Sequence, residues 1–242
     1  MQGAACGVMF GLVVLIGGRL WQPQVAAAQA KEPAVPDVVK ARSIELVDAA
    51  GNVRAGLVVG HDGGAGLTLY DAVGKMWATL GVGRDGGAYL GFSVAAGKVR
   101  AGLGVGTDGS VSLTLGDAAG KQRAVLDVDA DGDPSLTLRD AAGKKRALLA
   151  LLADGMPSLT LGDAAEKPRA VLDVGTDGSP SLTLGDAAGK KRALLALFAD
   201  GMPGLTLGDR AGRPRVFLYV LPGGSPFLEM SDAAGKVIWT AP

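Results

Sequence analysis

The 242-residue chain holds one cysteine, one histidine and no net charge, with 24 basic residues set against 24 acidic ones. Those shortages exclude whole classes of chemistry. A single Cys makes no internal disulfide, and a lone His leaves the usual Ser-His-Asp and Cys-His arrangements, and most metal sites, short of a partner. Balanced charge gives no electrostatic footprint for a nucleic-acid backbone. Aromatic residues reach only 5%. What the chain has in excess is glycine, 39 residues, without the third-position recurrence of collagen. A hydrophobic share of 48% is too rich for a disordered chain, which lacks the apolar surface to fold.

The N-terminus differs from the rest. Gly3 to Gly18 is a run of sixteen uncharged, mostly apolar residues closed by Arg19. A spanning helix needs about 20 apolar residues and a signal-peptide core about 7–15. Ala28-Gln29-Ala30 then offers the small-x-small pattern of a signal-peptidase site. Residues 1–30 are expected to be a signal peptide or a retained N-terminal membrane anchor, with membrane contact confined to residues 3–18. The bulk of the apolar run follows Cys6 instead of preceding it, so the cysteine does not form a lipobox. A mature chain from Lys31 contains no cysteine, so its fold cannot depend on disulfides. Residues 31–43 read as an extended linker in which Pro33 and Pro36 oppose helix.

From residue 44 to residue 242 the chain is one repeat. Blocks of 23 residues align without a gap, beginning at Ile44, Leu67, Leu90, Leu113, Leu136, Leu159, Leu182, Leu205 and Leu228. Within-unit position 14 is Leu in all eight complete units, and position 20 is Gly in the same eight. Such phasing defines a repeat array. Each unit carries two turn signals, Asp-Ala-Ala-Gly (Asp117 to Gly120) and x-Asp-Gly (Thr107-Asp108-Gly109). The first suits a four-residue hairpin loop over positions 5–8, pairing 4 with 9, 3 with 10 and 1 with 12. The second suits a three-residue loop over 18–20, pairing 17 with 21 and 14 with the next position 1.

Both registers place positions 1, 3, 12, 14 and 16 on one face, and these are Leu, Leu, Ala, Leu and Val in the consensus. The expected fold is all-β: tandem β-hairpins in an antiparallel meander that is coiled, layered, closed or paired with another chain, preceded by an N-terminal apolar helix. A flat open sheet of about eighteen strands would leave the apolar face wet. Leu148, Leu152, Leu194 and Phe198 make the second face apolar in the fifth and seventh units, which suggests burial on both sides. An outer-membrane barrel is disfavoured, because the first strand reads as about four residues where 9–11 are needed.

The stretch LTLGDAAGKQRAVLDVDADGDPSLTLRDAAGKKRALL resembles tandem repeats of uncharacterised exported bacterial proteins, over residues 41–242. The resemblance implies export and brings no activity or site residues. The 23-residue length and the two turns are also similar in architecture to MORN repeats, although Leu and Ala stand here at strand positions that carry Tyr, Trp and Gly there.

Little in the array reads as a site. His61 falls in a turn. Asp127, Asp129 and Asp131 begin like a calcium loop, but Leu138 stands where an EF-hand needs Glu. Lys121/Arg123, Lys144/Arg146, Lys167/Arg169 and Lys190/Arg192 form basic rows, read either as a solvated ladder beside turn carboxylates or as a stripe for acidic glycans or lipid head groups. Tyr70, Trp77, Tyr89 and Phe92 are read as an N-terminal cap or a carbohydrate platform. The expectation is a non-enzymatic exported protein, without catalytic, cofactor or metal residues, in a structural or interaction role at the bacterial envelope or surface. Its partners would be itself or another envelope protein, not nucleic acid. The alternative is a module binding glycan or, weakly, calcium.

Overall fold

The computed structural model describes residues 38–241, Ala95 excepted. The chain divides into a unit of residues 1–40 and a unit of residues 41–242. The expected N-terminal helix, signal sequence and cleavage site lie outside the described residues. Among those residues no helix is long and apolar enough to cross a membrane.

Residues 43–241 form eighteen strands joined in sequence order, from Ser43–Val47 to Val237–Ala241. Each pairs antiparallel with its chain neighbours, as Gln122–Val128 does with Val111–Gly116 before it and Pro134–Arg139 after it. The result is a single meander sheet, two strands per 23-residue unit, the first and last pairing on one side only. Among the described residues layering and closure, two of the expected outcomes, do not occur. Short turns keep every strand beside its neighbour, and no connection is long enough to carry a strand onto the sheet's face.

Both turns have one construction. In the second, Gly106 N–H donates to Ser110 O at 2.8 Å and Gly109 N–H to Gly106 O at 3.1 Å, as the three-residue loop requires. In the first, Asp117 N–H donates to Lys121 O at 2.9 Å and Gly120 N–H to Asp117 O at 2.8 Å. The first loop therefore spans positions 6–8, closed by positions 5 and 9, which corrects the expected four-residue loop. Position 4 then pairs with 10, 3 with 12 and 1 with 14, as in Gly116↔Gln122, Leu115↔Ala124 and Leu113↔Leu126. Position 11 is left unpaired as a bulge, and the bulge preserves the expected face because it restores parity before position 12.

Left-handed backbone closes every turn. Among the described residues sixteen glycines have positive φ, from Gly51 at 84° to Gly235 at 86°, and the sixth unit uses Glu166 at 62°. Glycine takes this conformation without a Cβ clash. At Glu166 the side chain compensates, its Oε1 accepting the Lys145 N–H at 2.8 Å and its Oε2 lying 3.6 Å from Lys144 Nζ.

Among the described residues no large side chain is fully buried, and the only buried hydrophobic residues are Ala55, Ala150 and Ala196. A one-layer sheet has no interior. Its backbone hydrogen bonds are satisfied strand to strand, and its side chains stand on two open faces.

Candidate interaction surface

One face is apolar from end to end. Positions 1 and 14 meet directly across successive strands, so Leu113, Leu126, Leu136, Leu149 and Leu159 stand side by side. The row runs from Ile44 at the first strand through leucines to Ala241 at the last. Beside it, positions 3 and 12 alternate large and small, as in Leu115, Ala124, Leu138 and Ala147. On the other flank, position 16 pairs with position 22, as Val128 with Pro134 and Leu151 with Pro157. Proline stands there as the first residue of its strand, where a missing N–H costs least. No polar or charged residue occupies any of these six positions in any unit. Yet Leu126 is 51% exposed, Leu149 51% and Leu195 54%.

The opposite face is mixed and tighter. Thr137, at position 2, is buried. Ser135 Oγ donates to Asp127 Oδ1 at 2.6 Å across the strand pair. A groove of about 450 Å³ runs over this face between units four and five, lined by Asp127, Thr137, Arg139 and Leu148 among others. Leu148 and Leu152 lie beside it rather than under a second layer.

The basic rows are structural ties. Arg123 Nε donates to Arg139 O at 2.9 Å, Arg146 to Gly162 O at 2.9 Å, Arg169 to Gly185 O at 2.8 Å and Arg192 to Gly208 O at 3.0 Å. Each bond joins the bulge residue of one unit to position 4 of the next. The same guanidinium groups lie 3.4–3.6 Å from the first-turn carboxylates Asp117, Asp140, Asp163 and Asp186. Arginine here is a clasp between units, which favours the carboxylate-ladder reading over a free stripe. Lys121 and Lys167 also reach carbonyls of the next unit, Ala141 O at 3.3 Å and Ala187 O at 3.1 Å.

The first-turn aspartates are acceptors several times over. Asp117 Oδ1 takes the N–H groups of Lys121 and Ala119. These bonds, with the lesser pull of Arg123, hold its carboxyl below the usual range. Asp48, Asp71, Asp140, Asp163 and Asp186 are lowered for the same reason, each led by the backbone N–H four residues on. Asp209 goes furthest, to about 2, chiefly through Arg215, which grips it at 2.6 Å and 2.9 Å, and then through the Arg213 N–H. A carboxylate bonded in its charged form is held charged.

The remaining candidate residues are dispersed. His61 is an exposed turn residue. Asp129 Oδ1 is occupied by the N–H groups of Asp131 and Asp133, and Asp127 by Ser135. Among the described residues no three His, Cys, Asp or Glu groups gather as metal ligands. Tyr70, Trp77, Tyr89 and Phe92 make no common platform. Phe92 pairs with Ala78 and Ala101 on the leucine face, Tyr89 with Gly81 and Gly104 on the other, and Trp77 donates to Asp71 Oδ2 at 2.9 Å.

The aromatic cluster lies elsewhere. Tyr219 has ring centroids 5.9 Å from Phe198, 5.9 Å from Phe217 and 6.3 Å from Phe227. All four stand on the opposite face at positions 13, 15, 17 and 23, a pattern that counting parity along the last units could have found. Gly204 is buried against the Tyr219 ring, and a Cβ there would collide with it.

No family model matches the chain, and no curated protein matches it. Among solved structures it is similar to the SAS-4 (dCPAP) TCP domain of Drosophila melanogaster, solved in complex with a proline-rich motif of Ana2 (dSTIL). That likeness covers 82% of this chain and 96% of that one, at 14% identity and a TM-score of 0.40.

Proposed function

We propose that the chain is a non-enzymatic, exported repeat protein that works by presenting its leucine face to a protein partner at the bacterial envelope or surface. One observation carries the reading. Six positions in every complete unit are apolar, and the leucines at position 14 stay 44–54% exposed. Contiguous apolar patches of more than a few hundred Å² mark interaction surfaces, and this one extends over eighteen strands. Catalysis has no support of the same kind, since the repeated carboxylates are engaged by their own turns and inter-unit ties.

Export rests on Gly3 to Gly18 and on Ala28-Gln29-Ala30. The basic residues after the apolar run (Arg19, Lys31, Lys40 and Arg42) oppose it by the positive-inside rule. The test is protease added to intact spheroplasts, with N-terminal sequencing of the purified chain. Repeats digested in intact spheroplasts, and a chain starting at Lys31 or retained in membrane, are the expected result. Repeats that survive until the cells are lysed would overturn the surface role.

A further inference from the structure

We infer that the partner on the leucine face is a second copy of this chain, packed face to face as a two-layer sandwich. The inference rests on the reading that the face is an interaction surface, and adds what occupies it.

Size comes first. Neighbouring strands lie ~4.8 Å apart and residues rise ~3.3 Å, so eighteen strands of five to seven residues present roughly 85 Å by 20 Å. That is about 1,700 Å², when a standard interface takes about 800 Å² from each partner and the largest patch on a lone protein is about 300–600 Å². The apolar run Gly3 to Gly18 is too short to cover it: sixteen residues at 1.5 Å per residue in a helix would reach ~24 Å, under a third of the face.

Period comes second. The face carries hollows of about 260 Å³, one lined by Leu126, Leu136, Leu149, Leu151, Pro134 and Pro157. Another repeats it forty-six residues on with Leu172, Leu182, Leu195, Leu197, Pro180 and Pro203. Four strands separate them, ~19 Å. A partner that fills such hollows along the whole face must offer apolar knobs at the same interval. The leucine row and the Leu–Ala row of another copy do so, large against small. Sheets that pack this way lie ~10 Å apart with strands within about 30°. A two-fold axis makes the contact self-complementary and closed.

Light scattering on the full chain reads the stoichiometry directly, and the expected mass is twice 24.2 kDa. The variant Leu126→Lys/Leu149→Lys/Leu172→Lys places three charges mid-face, at residues half-exposed in the single sheet, and leaves residues 3–18 untouched. It should keep the β spectrum, run at the single-chain mass and raise the dissociation constant at least 100-fold. If it loses that spectrum, Leu149→Lys alone, read by sedimentation velocity, decides the same way. A wild-type chain of single mass at tens of micromolar, a mass that grows without limit, or a triple variant of unchanged mass would each overturn the pairing. So would wild-type chain that floats with phosphatidylcholine vesicles while the triple variant, with residues 3–18 unchanged, does not. A single chain with Leu149 open to an aqueous reagent overturns the pairing alone; with Leu149 shielded, the chain covers its own face and the interaction-surface reading falls too.

Discussion

The two faces of the sheet are built from the same strands, yet they follow different rules. The leucine face repeats almost without variation from Ile44 to Ala241. The other face changes from unit to unit, carrying Asp127 against Ser135 in one place and Tyr219 against Phe227 in another. Fold alone does not demand the uniformity, because hairpin turns and ladder hydrogen bonds would form with either face variable. The proposed partner surface accounts for it, because such a surface would meet something along its whole length. The variable face is where individual units settle local matters, such as a cross-strand hydroxyl–carboxylate bond or an aromatic stack.

The largest effect should come from breaking the parity that keeps the faces apart. Removing Leu136 to Ser181 rejoins equivalent positions, and the shortened array should remain a folded all-β protein by circular dichroism. Removing twelve residues, 136–147, joins Ser135 to Leu148 and turns every later leucine to the other side. That chain should lose its cooperative unfolding transition. Equal folding of both would mean that 23 residues is not the structural unit.

Truncation sharpens the comparison. Leu172 and Val171 are neighbours on opposite faces. With the leucine face covered, Leu172→Ala should cost about 2–4 kcal/mol in denaturant unfolding, as buried leucines do. Val171→Ala should cost about 1 kcal/mol, having only partial burial to lose. Equal small losses would describe a face left in water.

Next in size is a test of the variable face. Gly204→Ala drives a Cβ into the Tyr219 ring and should cost about 1–3 kcal/mol, the usual range for overpacking. Gly56 meets only a Val58 methyl at 3.7 Å, so Gly56→Ala should be neutral or stabilise by up to about 0.5 kcal/mol through strand propensity. Thermal midpoints of the two variants measure the contrast.

The smallest effect is expected of mild acid, and it touches both faces alike because they share their turns. Asp48, Asp71, Asp117, Asp140, Asp163, Asp186 and Asp209 titrate lower folded than unfolded, where Asp lies near 3.9. Their stabilisation is therefore complete above about pH 4 and is lost as pH falls through the folded values, down to about 2 for Asp209. The melting midpoint should hold between pH 7 and 5 and fall progressively below 4. A fall beginning near neutrality would point to other groups.

Much of this architecture was legible in the sequence because the repeat supplies eight or nine readings of each position. The strands, the second turn, the apolar parity and the antiparallel meander follow from periodicity and glycine placement. The first turn misled because Asp-Ala-Ala-Gly ends in a left-handed Gly in either a three- or a four-residue loop. The discriminating interaction is the reach of Asp117 Oδ1 to the Lys121 N–H, a geometric fact rather than a compositional one. The bulge at position 11 was hidden for the same reason, and with it the arginine clasp, since its acceptor is a backbone carbonyl sixteen residues away. Tyr219 and its neighbours escaped notice because the positions they occupy on that face, 13, 15, 17 and 23, vary from unit to unit.

A cysteine scan through Ala147 to Leu151 in a Cys6→Ser background, read by the rate of modification with a charged maleimide, tests the central claim most directly. In the lone sheet Leu149 and Leu151 are the open positions and Ala150 is buried. The covered-face account predicts slow modification at 147, 149 and 151 and faster modification at 148, on the open opposite face. Rapid modification at 149 and 151 would contradict it, because the leucine face would then stand in water.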